Sequence, residues 1–328
     1  MLILHRDACA IIIQAYNLRN QTFRKYGFPA MNAKNYGSQA MCAPLRRVLM
    51  RRAGASLLAA DAAQWHFGTG FEGKRAVAQY AVFADMIAAR GAEIMWLEDS
   101  GDGLADAMFS HDPSLMTDKG AIILRMGKDG RMAEPALHAK AYKAAGIPIL
   151  GEVKAPGSVE GGDCVWVDHD TLAVGRGVRT NQSGIEQLAA ILAPLGVSVL
   201  GFDLPLGHGA DACLHLMSVM SPLADDLALV HAPMLPVAFW QLLRDKGIGL
   251  LVAPISEFEA SNGLNLNVLP TSPRQVIMID GFPGTRKLMQ DAGCEVAVFA
   301  ADALCMPCEG GPTCLTRPVW RANQDSAA

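Results

Sequence analysis

Three of the chain's eight cysteines lie within ten residues, in Leu304-Cys-Met-Pro-Cys-Glu-Gly-Gly-Pro-Thr-Cys314. A thiol cluster of this kind can hold a metal, form a disulfide or supply a nucleophile. Cys305-x-x-Cys308 with Cys314 would give zinc three ligands, but the nearest histidine, His231, is far upstream and no second Cys-x-x-Cys exists. Cys314 follows Gly-Gly-Pro, where backbone approaches a ligand closely, so it is the nucleophile candidate. Cys164, Cys213, Cys294, Cys305 and Cys308 are expected to be small buried hydrophobes.

Composition removes several classes of function. The 328 residues are 51% hydrophobic and 18% charged, with a net charge of −4 and a pI near 6.1. That balance offers no basic surface to a phosphate backbone, so nucleic acid is excluded as a partner. Apolar runs such as Ala8 to Ile13 fall far short of the ~18 to 20 residues a membrane span needs, and the early Asp7 argues against a signal peptide. The expectation is a cytoplasmic protein, whose reducing surroundings disfavour disulfides. Gly175-Arg-Gly177 lacks the third glycine of a dinucleotide loop, so no nucleotide is expected.

An internal repeat carries the architecture. A helix-like run ending in glycine and followed at once by an apolar strand recurs at Gly91, Gly146, Gly196, Gly247 and Gly293. A second apolar strand precedes each helix, beginning at Arg46, Ala121, Thr171, Leu227 and Gln275. Each unit reads strand, helix, strand. A unit of ~50 residues cannot bury its own helix and sheet, so five are expected to close on one another into an α/β propeller of five-fold pseudosymmetry. The organisation expected is one domain over 41–328, after an N-terminal extension over 1–40.

Polar linkers join the units at 97–112, 154–164, 203–216, 254–269 and 302–315. In a quasi-symmetric ring they share one side near the axis, where Asp112, Glu160, Asp163, His215 and Cys314 would converge. Those are the types that a thiol nucleophile, a general base and anchoring carboxylates require. Read singly, several have plainer explanations. His215 would be a core histidine, Arg131 and Arg179 surface charges, and Asp163 either a cap of the Gly161-Gly162 turn or a substrate contact.

Six motifs in this order resemble the pentein-fold guanidine-modifying enzymes: PLRRVLM (44–50), FSHDPS (109–114), EGGD (160–163), RTNQSG (179–184), LHL (214–216) and GGPTCLT (310–316). That superfamily includes arginine deiminases, dimethylarginine dimethylaminohydrolases and amidinotransferases, and the resemblance covers about residues 42 to 321. It implies Cys314 as nucleophile, His215 as general acid and base, Glu160 as a carboxylate of the triad and of the substrate clamp, and Asp112 as the carboxylate that holds the guanidinium. It further implies Arg131 and Arg179 as receivers of an α-carboxylate, Asp106 as a contact of the α-amino group, and Asp163 as a further substrate contact. No metal or organic cofactor enters that chemistry.

The chain departs from the deiminase pattern at Met217, where an aspartate two residues after the histidine would give a second guanidinium clamp. A thioether there is expected to pack on a substituted nitrogen. The function expected is therefore hydrolysis of a free arginine-like small molecule, Nω-methylated arginine ahead of arginine. Arginine deiminase, amidinotransferase, citrulline-type ureidohydrolase and a non-catalytic pentein-like binding protein are the alternatives. Self-association is left open.

Overall fold

The computed structural model describes residues 34–207, 209 and 214–322. Cys213 and most of the expected N-terminal extension lie outside them. Residues from Tyr36 onward form one compact unit. Gly37 already belongs to it, since its N–H donates to Val319 O and its carbonyl accepts from Arg321 N, both at 2.8 Å.

Fifteen strands are described: β1 Leu45–Arg51, β2 Glu93–Leu97, β3 Ser114–Thr117, β4 Gly120–Ile123, β5 Ile149–Glu152, β6 Cys164–Asp168, β7 Thr171–Arg176, β8 Ser198–Asp203, β9 Met220–Ala224, β10 Leu227–Val230, β11 Gly249–Val252, β12 Leu269–Ser272, β13 Gln275–Ile279, β14 Glu295–Phe299 and β15 Arg317–Arg321. They form five three-stranded sheets, ordered β15-β1-β2, β3-β4-β5, β6-β7-β8, β9-β10-β11 and β12-β13-β14. In every sheet the middle strand runs parallel to the strand after it in sequence and antiparallel to its other neighbour.

The five parallel pairs are the strands expected from the repeat. Their connecting helices are α1 Gly73–Ala89, α2 Glu134–Ala144, α3 Gln182–Leu192, α4 Val237–Asp245 and α5 Pro283–Asp291. In α3 the buried residues Ile185, Leu188 and Leu192 recur at the spacing of one helical face, and Asn181 caps the first turn by accepting from Gly184 N at 2.9 Å. The five repeat glycines have φ between 68° and 84°, the left-handed conformation in which a Cβ would be strained. The third, antiparallel strand of each sheet is an addition to the strand-helix-strand unit. The first sheet takes its third strand, β15, from the far end of the described chain.

The middle strands are almost wholly buried, as two-sided coverage demands. Among the described residues no helix is long and apolar enough to cross a membrane.

Candidate active site

Each polar linker ends where an antiparallel strand begins. Asp112 comes just before β3, Glu160 before β6, His215 before β9, Asn267 before β12 and Cys314 before β15. One rule of chain direction thus delivers five side chains from five units. A cavity of about 160 Å³ is lined by Asp112, His215, Asn267 and Cys314, with Asp106, Lys128, Arg131 and Arg179 further along its wall.

Cys314 Sγ lies 2.9 Å from Asn267 Nδ2, and the same amide's oxygen accepts from Thr313 N at 2.9 Å. Asn267 thereby holds both the thiol and the turn that presents it. Burial and the Asp112 carboxylate push the thiol up, while the Asn267 amide, the Gly311 N–H and His215 work in the opposite direction.

His215 precedes the short helix Leu216–Val219 and its Nε2 lies 2.8 Å from Glu160 Oε2. Glu160 is completely buried behind the imidazole rather than on the cavity wall. Its Oε1 accepts from Gly127 N at 2.9 Å and Lys128 N at 3.3 Å, and Arg179 Nη1 lies 3.3 Å away. Burial acts to raise this carboxyl, but the hydrogen bond and charge of His215 outweigh it and hold the group below its usual value. Gly162 is required here, because a Cβ on it would overlap His215 Nδ1.

Asp112 Oδ1 accepts from Gly162 N at 2.9 Å and Oδ2 from Arg131 Nη1 at 2.7 Å. Burial again acts upward, and Arg131 with His215 overcomes it, so the carboxyl stays ionised. His111 N donates to Cys314 O at 3.1 Å, which ties the carboxylate's segment to the nucleophile's. His111 itself turns away and pairs through Nδ1 with Thr316 O at 2.8 Å.

Asp112, Glu160 and His215 have one ligand atom each within 4.8 Å of one another, the spacing of a metal site. Both carboxylates already accept N–H hydrogen bonds and Glu160 is also paired with His215, which leaves few of the close oxygen contacts a divalent ion needs. The donor set suits a cationic organic group held by hydrogen bonds better than a metal ion.

The arginine deiminase family model matches residues 101–246. A dimethylarginine dimethylaminohydrolase of Streptomyces coelicolor is 29% identical over 243 residues, covering 74% of this chain and 84% of that protein. One from Pseudomonas aeruginosa is 28% identical over 211 residues, covering 64% and 76%. These matches make the chain similar to the pentein-fold guanidine-modifying enzymes. An arginine deiminase of Listeria welshimeri shares 25% identity over 68% of this chain and 63% of its own length. In fold, the chain matches the Pseudomonas aeruginosa dimethylarginine dimethylaminohydrolase complexed with citrulline at a TM-score of 0.67, with 22% identity over 84% of this chain and 99% of that one. It matches an amidinotransferase of saxitoxin biosynthesis from Microseira wollei at 0.72, with 18% identity over 88% and 98%.

Several expected site residues have surroundings that the sequence reading does not include. Arg131 is buried and committed: Nε meets both Glu134 oxygens at 2.9 and 3.1 Å, Nη2 meets Glu134 Oε2 and Phe109 O at 2.8 Å, and Nη1 holds Asp112. It stands on the cavity wall and holds Asp112 in place, with most of its donors directed to protein oxygens. Asp163 does not line the cavity. Its oxygens accept from Leu216 N at 2.9 Å and Thr180 Oγ1 at 2.6 Å, fastening the helix start behind His215, and burial raises its carboxyl to about 6.

Met217 is also off the wall, packed among Leu216, Val219 and Val165. Two helical residues turn the side chain by about 200°, which carries it to the side opposite His215. Ser218, one step further round, lines the cavity instead. Cys308 is buried as expected but also forms part of the wall. Asn267 and Lys128 also line the cavity and are not among the expected residues. For Asn267 the sequence holds a signal, since 254–269 is the one linker that contributes nothing to the expected set.

Proposed function

We propose that this chain hydrolyses the guanidinium of a free arginine derivative, Nω-methylated arginine ahead of arginine, to a ureido product and an amine. The observation that carries the reading is the meeting of the Cys314 thiol, the ionised Asp112 and the His215–Glu160 pair at 2.8 Å around one cavity. Preference for the methylated substrate rests on the relatives, since the 29% and 28% identical proteins are dimethylarginine dimethylaminohydrolases and the deiminases stand at 25%. We further infer that the five sheets close into a five-fold propeller with this cavity on its axis, which accounts for the convergence of one residue from each linker.

A guanidinium carbon is a weak electrophile because its charge is delocalised. Asp112 accepts N–H bonds along one edge and fixes the plane, so that the carbon faces sulfur. The arriving cation also stabilises a thiolate where the empty site disfavours one, so the nucleophile ionises when substrate is present. Sulfur adds to the carbon, and the departing amine leaves with a proton from His215. The S–C bond of the resulting thiouronium breaks after water, losing a proton to the same imidazole, adds to that carbon. Glu160 stabilises the imidazolium, and Arg179 and Asp106 face the amino-acid end of the substrate.

The test is to incubate the protein with arginine, monomethyl- and asymmetric dimethylarginine, citrulline and an arginine–glycine mixture, and to identify products by mass. Citrulline with dimethylamine is the expected pair. Transfer of the amidino group to glycine would make the chain an amidinotransferase, and inertness toward every compound would remove the enzymatic reading.

A further inference from the structure

Arg131 stands on the cavity wall with Nε and both Nη atoms engaged by protein oxygens, and the same wall carries another cation, Lys128, with donors to spare. Lys128 Nζ lies 2.6 Å from Asp106 Oδ2 on the cavity wall, and 5.7 Å from the centre of the Trp65 ring. The side chain of Asp106 is 7% exposed and that of Lys128 is 25% exposed, so the carboxylate is set into the wall and the ammonium reaches the space. The backbone beneath is fixed, because Gly127 N and Lys128 N both donate to Glu160, the residue that holds His215.

Resting on the proposed activity, in which Asp106 meets the α-ammonium, we propose that Lys128 beside it is the residue that takes the α-carboxylate of the amino-acid head group. A free amino acid presents a positive and a negative group on one carbon, and the wall presents the complementary pair in contact. Alignment of the two pairs gives four alternating charges, so neither Lys128 nor Asp106 loses its compensation when the substrate enters. The ammonium of Lys128 has three N–H donors and uses one on Asp106, so two remain for a carboxylate. Arg131, with Nε and both Nη atoms engaged by protein oxygens, offers no comparable set. Lys128 is thus a specificity-determining residue acting at a distance from the reacting carbon.

The experiment pairs a variant with a head-group change in the substrate. Dimethylarginine and its decarboxylated counterpart, which keeps the amine and lacks the carboxylate, are compared on wild type, Lys128→Met and Lys128→Arg, with melting curves to verify folding. For wild type, the decarboxylated compound should be at least about tenfold poorer in kcat/KM. Lys128→Met should raise KM for dimethylarginine about tenfold or more with kcat little changed, and leave the decarboxylated substrate within about twofold, because the interaction removed is the same in ground and transition states. Lys128→Arg keeps the charge and should recover most of the loss. Equal losses on both substrates in Lys128→Met, or none on either, overturn the assignment while the hydrolase reading stands. Wild type inert toward dimethylarginine and toward arginine would instead break the functional reading itself, and this proposal with it.

Discussion

In the short helix Cys305–Cys308, Cys305 has no exposed surface and packs in the largest apolar cluster beside Leu304 and Leu315; on the same segment Cys314 meets the Asn267 amide at 2.9 Å and shares a cavity with His215 and Asp112. Burial raises all three thiols. For Cys305 and Cys308 every further influence is also upward, from neighbouring thiols or from Asp106 and Glu309. For Cys314 three groups oppose the rise: the Asn267 amide, the Gly311 N–H and His215. The proposed nucleophile is therefore distinguished here by the donors and cation that would receive a thiolate, and it is also the one of the three that is only partly buried.

That contrast is broken most directly by removing sulfur at each place. Cys314→Ser should lower kcat by about 10³-fold or more, since a serine hydroxyl supplies too little nucleophile at neutral pH, and should melt close to wild type. Cys305→Ser should do the reverse: turnover per folded molecule near wild type, but a lower melting temperature, because a hydroxyl set in hydrocarbon costs about 1 to 3 kcal/mol. Equal activity losses in the two variants would end the distinction.

His215→Gln removes the proton donor to the amine and the acceptor from water, and should cost about 10²-fold or more in kcat. With a substrate carrying a good leaving group, intact-mass spectra should then show an adduct on Cys314. Full turnover without adduct would make the histidine structural.

Asp112→Asn sharpens the electrostatic side. Its carboxylate raises the Cys314 thiol, so alkylation of wild type should climb with pH through a midpoint above that of an ordinary thiol, and the variant's midpoint should lie lower. Alkylation at pH 7 should quicken several-fold while turnover falls, as the guanidinium clamp is lost. A midpoint that moves upward would contradict the placement of Asp112. The smallest effect is expected for Asn267→Ala, in which the thiol loses its amide donor. Its alkylation at pH 7 should slow by about two- to fivefold.

The parallel strands and their helices were legible because each pairs a short apolar run with an amphipathic helix closed by glycine. The antiparallel strands were not. Met-Ser-Pro-Leu-Ala, Leu-Pro-Thr-Ser and Arg-Pro-Val-Trp-Arg carry prolines, which normally argue against a strand, and their near-continuous burial leaves no polar alternation to read. These strands sit at sheet edges, where a missing N–H is tolerated.

At the site, the linkers told which segments converge but not which way each side chain faces. Met217 shows the limit, since placing it required knowing that the chain turns helical immediately after His215. Arg131 was readable in part: Glu134 follows it by three residues, a spacing that pairs charges across one helical turn. Asn267 is a neutral amide, and nothing in its type announces a partnership with sulfur.

The pairing of β1 with β15 has a consequence for how the chain is made. Strand β1 leaves the ribosome early, yet its antiparallel partner spans residues 317–321, and Cys314 lies on the segment leading into that partner. A nascent chain therefore carries an open edge, and no assembled thiol site, until residues 314–321 have emerged. The same pairing makes the covalent starting point of the body arbitrary. A circular permutant joining position 322 to position 36 through a short linker, and opened at the exposed turn between Asp225 and Asp226, keeps all five sheets and should fold to the same body.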